Sequence, residues 1–94
     1  MSNSYFSEVA LSSVSVYPTN PQIVSNIRGP HKLLAVCTAG SVELSFTGSN
    51  SDTASFKLDA ANASNKIDFG IVKESKFWVK GSSGTIRIYI WQAV

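Results

Sequence analysis

The feature that most constrains this chain is a period of two. Apolar residues alternate with polar ones along most of its length, and helical spacing is nearly absent. Alternation of that kind sends successive side chains to opposite faces of a pleated strand, so it selects an all-β fold. It is strongest near the C-terminal end, where Lys76-Phe77-Trp78-Val79-Lys80 and the run from Thr85 to Trp91 flank Gly81-Ser82-Ser83-Gly84. A four-residue loop there predicts a hairpin pairing Val79 with Ile86, Trp78 with Arg87, Phe77 with Ile88 and Lys76 with Tyr89. One face of that hairpin holds Phe77, Val79, Ile86, Ile88 and Ile90, and reads as core. The other carries Lys76, Trp78, Lys80, Arg87, Tyr89 and Trp91.

A second hairpin is expected between residues 33–38 and 41–47, across Ala39-Gly40. Its register sets Cys37 against Val42, Ala35 against Leu44 and Leu33 against Phe46, leaving Leu34, Val36 and Thr38 on a mostly polar face. Further strands are predicted over 9–16, 22–28 and 54–58 and from Ile67 to Phe69. Pro18 and Pro21, Gly29-Pro30, the polar segment 48–52 and the connection 60–66 separate them. About seven to eight short strands at spacings of about 8–12 residues point to an antiparallel β-sandwich, with a jelly roll as one form of it. Residues 9–94 form that domain, and 1–8, with Tyr5 and Phe6 among serines, form an N-terminal arm.

A length of 94 residues supports one domain, with roughly 60–65% of the unfolded surface buried. Only 15% of residues are charged, against about 25% in an average protein. Ser, Thr, Asn and Gly solvate the chain instead, and such a surface repels neighbours weakly. The single cysteine, Cys37, excludes an internal disulfide and a cysteine metal site, and its place in an apolar run makes it a small core residue. No basic stretch followed by an apolar one opens the chain, so no signal peptide is expected. No apolar run approaches the ~18–20 residues that span a bilayer. The chain is therefore expected to stay in the cytosol until it assembles.

Chemistry has little to work with. His31 follows Gly29-Pro30 and reads as a solvated turn residue with no second metal ligand at a known spacing. Asp52, Asp59 and Asp68 read as turn residues. The segment 81–84 lacks the Lys-Ser/Thr and the helix of a phosphate loop, and no serine sits in Gly-x-Ser-x-Gly. No catalytic residue, metal or cofactor is expected, and the chain is read as not an enzyme.

The aromatic face of the last hairpin is different. Large aromatics on both faces of a strand mean that both faces are covered. Trp78 with Arg87, and Lys76 with Tyr89, would form cation–π pairs worth about 0.5–1 kcal/mol each. The cover is a neighbouring molecule, a ligand, or an N-terminal segment of the same chain. Trp, Tyr and Arg are the residues that interfaces favour, so a subunit or partner interface leads, with Trp78, Tyr89, Trp91 and Arg87 at its centre and Lys76 and Lys80 at its rim. Residues 66–94 hold five basic side chains against two acidic ones, which leaves single-stranded nucleic acid as a rival ligand. A net charge of only +2 argues against it. A carbohydrate stacked on tryptophan and tyrosine is the other rival.

The pattern Phe77-Trp78-Val79, then Gly81-Ser82-Ser83-Gly84, then Thr85-Ile86-Arg87-Ile88-Tyr89-Ile90 resembles small structural proteins of tailed bacteriophage virions. A serine-rich start and polar turns extend the resemblance in style to the rest of the chain. It implies a capsid decoration (cement) protein, a head fibre or a tail-associated module. Its partners would be further copies of itself, a trimer being favoured, and a major capsid or other virion protein, with no membrane involved. The resemblance assigns no catalytic or ligand residue.

Overall fold

The structure, a computed structural model, describes residues 4–27, 29–50 and 55–92. Of the segments named above, positions 1–3 of the arm, Arg28, positions 51–54 (Asp52 and Ala54 among them) and positions 93–94 lie outside the described residues. Among those described, the strands are β1 (Ser4–Val14), β2 (Ile23–Val24), β3 (His31–Ser45), β4 (Phe56–Asp59), β5 (Lys66–Val72) and β6 (Lys76–Gln92). One 3-10 turn, Ala63–Asn65, precedes β5. Every pairing is antiparallel, and the chain is all-β.

Neither expected hairpin forms. β3 and β6 are unbroken strands of 15 and 17 residues. They pair with each other from His31 opposite Gln92 to Ser45 opposite Trp78. Cys37 therefore faces Ile86, and Leu44 faces Val79. Ala39-Gly40 and Gly81-Ser82-Ser83-Gly84 both lack the Asn-Gly or Asp-Gly signal of a tight hairpin. Pairing the two long strands gives Leu33, Ala35, Cys37 and Leu44 apolar partners without any turn. The seven to eight short strands expected become six among the described residues.

The glycines mark bends instead of turns. Register shifts flank Gly40, between Cys37 and Ala39 and between Ser41 and Glu43, and such bulges bend a strand. Gly40 has φ +60°, and a Cβ on it would collide with the Ser83 carbonyl oxygen. A Cβ on Gly84, opposite it, would lie 2.8 Å from the Ser41 carbonyl oxygen.

The bend is large. Leu33 and Leu44 lie 11 residues apart on β3, which a straight strand would separate by about 35 Å. Yet Phe69, on β5 beside Leu33, and Phe56, on β4 opposite Leu44, meet edge to face with ring centroids 4.8 Å apart. The sheet is doubled over across its middle. Its β1 half contains β1, the C-terminal part of β6, the N-terminal part of β3, and β5. Its β4 half contains β2, the N-terminal part of β6, the C-terminal part of β3, and β4. Pairing runs like one long hairpin, first strand with last and inward from there, rolled so that β6 meets β3 along its length. That is the pairing order of a jelly roll.

Residues from both halves fill one core: Leu33, Ala35, Ile86, Ile88 and Ile90 from one, Val42, Leu44, Leu58, Phe77 and Val79 from the other. Each buried aliphatic side chain of this kind contributes about 1.5–3 kcal/mol. Cys37 is buried among them, as its surroundings in the sequence require, and its thiol faces the carbonyls of Ala39 and Gly40.

Two local expectations are corrected. Ser4 to Glu8 do not form an arm separate from the domain: they are the first half of β1, paired in regular register with β6 from Ser4 opposite Trp91 onward. Tyr5, Ser7, Val9 and Leu11 point inward and Phe6, Glu8 and Ala10 outward, so the period-2 pattern already runs through the supposed arm. His31 is not solvated. It is fully buried, with Nδ1 2.9 Å from the Gly29 carbonyl oxygen and Nε2 2.7 Å from that of Glu74, so its ring clamps the turns before β3 and β6.

Candidate functional site

The doubled sheet has two outer faces, and the six residues expected to share one surface are divided between them. Arg87, Tyr89 and Trp91 lie on the outer face of the β1 half, and Lys76, Trp78 and Lys80 on that of the β4 half. The expected pairs of Trp78 with Arg87 and Lys76 with Tyr89 do not exist, because the two arms of the supposed hairpin are one strand passing through the bend.

On the β1 half, strand register sets the outward side chains in rows across β1, β6, β3 and β5. The first row is Ser4, Trp91, Lys32 and Ile71; the second is Phe6, Tyr89, Leu34 and Asp68; the third is Glu8, Arg87, Val36 and Lys66. Neighbours in such rows sit about 4.5–5.5 Å apart at Cβ. Phe6 packs on Tyr89 with ring centroids 5.0 Å apart. Arg87 donates from Nε to Glu8 Oε2 at 2.6 Å. Its hydrogen bond to the Glu8 carboxylate, then that to Tyr89, pushes the guanidinium pKa above its ordinary value, so it stays cationic. Its charge is answered within the chain. Phe6 is 54% exposed, Ile71 63% and Trp91 37%, while Leu34, Val36 and Tyr89 are half-buried. No described element lies over this aromatic and aliphatic stripe.

Part of the β4 half, around Trp78, is roofed by its own chain, while Val24 stays 53% exposed. Gly48, in the segment after β3, lies flat on Trp78: a Cβ there would come within 2.6 Å of the indole Cε2. Gly48 has φ +73°, a conformation that suits glycine. The segment between β1 and β2 is tied to the same loop. The Tyr17 N–H donates to Asn50 Oδ1 at 2.7 Å, and the buried Tyr17 hydroxyl pairs with Ser55 Oγ at 2.7 Å. Lys80 places its Nζ 4.5 Å from the Tyr17 ring centroid, a cation–π contact with a residue the sequence reading did not single out. Gln22 extends β2 with its side chain, accepting from the Val79 N–H at 3.0 Å and donating to the Val79 carbonyl at 2.7 Å. Lys76 is exposed, opposite Val24.

Beside the roofed region a groove of about 340 Å³ is lined by Glu43, Lys57, Asp59 and Lys80 together with serines and Val42 and Leu58. Register sets Glu43 between Lys57 and Lys80, so the charges alternate. Asp59 is already committed to the Ala61 N–H and the Asn62 side-chain amide. The groove presents no aromatic platform. Among the described residues, no three His, Cys, Asp or Glu side chains are grouped to hold a metal ion. No described helix is long and apolar enough to cross a membrane.

Phe6, Leu34, Val36, Ile71 and Lys32 were missing from the expected site. Phe6 was assigned to the arm, and Leu34 and Val36 to a polar face by the hairpin register. Ile71 could be placed only by knowing that β5 pairs with β3 beside β6. Comparison of the chain with protein-family models, curated proteins and solved structures returns no match. The surface is therefore interpreted from its own residues.

Proposed function

We propose that this chain is a non-enzymatic structural protein that docks onto other protein through the outer face of its β1 half. The observation that carries this reading is the aromatic and aliphatic stripe of Phe6, Tyr89, Leu34, Trp91 and Ile71, left open by a chain that covers Trp78 on its other half. An open apolar sheet face costs free energy in water, and covering it on assembly returns about 25 cal/mol per Å². Binding of that kind stabilises the assembled state by mass action.

The resemblance of the C-terminal third to phage structural proteins narrows the proposal to a virion component, of which capsid decoration is the form adopted here. Jelly-roll pairing is shared by capsid and lectin domains, so the fold is compatible with this reading and does not select it. Arg87 is neutralised by Glu8, which leaves Lys32 and Lys66 against Asp68 on the stripe. Two free lysines are a weak match for a phosphate backbone.

The test is co-sedimentation with tailed-phage capsid shells stripped of their accessory proteins, run beside a glycan panel and a labelled oligonucleotide. The expected result is pelleting with shells, lost in Phe6→Ser and Trp91→Ser and kept in a Lys57→Ser control on the other half. Sugar binding that depends on Trp91, or oligonucleotide binding that falls steeply with salt, would replace the docking proposal.

A further inference from the structure

β1 is the longest edge strand of the described sheet, and it carries none of the devices that keep sheet edges apart. Its three counterparts are all blunted. β2 has two residues and is extended by the Gln22 side chain. β4 has four residues and runs into the 3-10 turn. β5 is bulged against β3 between Leu33 and Leu34, turns at Gly70 with φ +71°, and bears Lys66 and Asp68. β1 has 11 residues, holds one unbroken register with β6 from Ser4 to Ser12, and contains no Pro, Gly, Lys or Arg. Its one charged residue, Glu8, is bound to Arg87. Natural proteins blunt long edges with short strands, bulges, charges or proline because an unblunted edge pairs with another strand.

We infer that the free edge of β1 pairs antiparallel with the same edge of a second copy, with Val9 opposite Val9. The choice lies among the registers centred on Ser7, Glu8 and Val9, which pair most of the straight run from Ser4 to Ser12. Any arrangement with an odd offset sets inward residues against outward ones. Centring on Glu8 places two carboxylates directly opposite each other, and centring on Ser7 presses Phe6 against Glu8 of the other copy. Centring on Val9 joins Val9 to itself, Ser7 to Leu11, Glu8 to Ala10 and Phe6 to Ser12, and it uses the straight run up to Ser13, where φ reaches +57°. An isologous two-fold of this kind is closed, and differs from the threefold that the phage resemblance implies. It leaves the aromatic stripe of each copy open and doubles its width, so it goes beyond the docking proposal and does not depend on it.

Ala10 is exposed and lies opposite Glu8 of the second copy in this register alone among those considered. Sedimentation equilibrium of the full chain over a range of concentrations, with circular dichroism to verify folding, reads the outcome. The expected result is a monomer–dimer equilibrium that Ala10→Glu weakens at least tenfold, that Ala10→Lys retains or tightens, and that Ile71→Ser leaves unchanged. A wild-type monomer at every concentration overturns the inference. So does an association indifferent to Ala10→Glu, or one weakened as much by Lys as by Glu. Loss of shell binding in Ile71→Ser with pairing intact separates this inference from the docking proposal.

Discussion

Trp78 and Trp91 belong to the same strand, yet one indole lies under the chain's own loop at Gly48 while the other faces outward at 37% exposure. The difference comes from the bend between them. Because β3 and β6 double over, each contributes outward residues to two opposite faces of the molecule. The segments around Tyr17 and Gly48 to Asn50 are anchored to each other over the β4 half. No described segment does the same over the β1 half, where β1 runs straight along β6 and its outward residues extend the stripe. The register shift in the bend absorbs the odd spacing between the two tryptophans and leaves both outward, so exposure here is set by where the loops fall.

The comparison can be broken at its origin. Gly40→Val drives a branched side chain into the Ser83 carbonyl at a positive φ, and the expected loss is at least about 3 kcal/mol, read as a collapse of the urea midpoint. The two tryptophans can then be set against each other. Trp78→Ala removes an indole packed by its own chain and should destabilise by about 2 kcal/mol. Gly48→Ala presses a methyl group against the indole and lifts the roof; about 1 kcal/mol should be lost, with a red shift in tryptophan emission. Trp91→Ala, at an indole 37% exposed, should cost less than about 1 kcal/mol in the free protein, while abolishing co-sedimentation with shells. Smallest of all is Glu8→Gln. The Glu8–Arg87 pair is solvent-exposed on both sides, so the urea midpoint should not move measurably.

Much of this arrangement could be read in the sequence, for reasons visible in particular residues. Phe77, Val79, Ile86, Ile88 and Ile90 were identified as core from alternation alone, because a period of two fixes which side of a strand a residue takes. Alternation says nothing about whether the glycines between two runs close a turn or bend a continuous strand. Gly40 and the 81–84 segment bend β3 and β6 while carrying the composition of a loop, and that ambiguity produced both hairpins. The same ambiguity merged Trp78, Lys76 and Lys80 with Tyr89, Arg87 and Trp91 into one site. His31 reads as a turn residue because only its Gly29 partner is local; the Glu74 carbonyl that completes its burial is brought in by long-range folding. Phe6, Leu34 and Ile71 became neighbours of Trp91 and Tyr89 through β1–β6, β3–β6 and β3–β5 register, which no local spacing encodes.

The contrast between a roofed half and an open half is tested most directly by acrylamide quenching of tryptophan fluorescence in two single-tryptophan variants of the free protein. In Trp78→Phe the remaining Trp91 should be quenched readily. In Trp91→Phe the remaining Trp78 should be shielded. Equal quenching of the two, or the reverse order, would contradict the division of the molecule into a face it covers and a face it leaves for a partner.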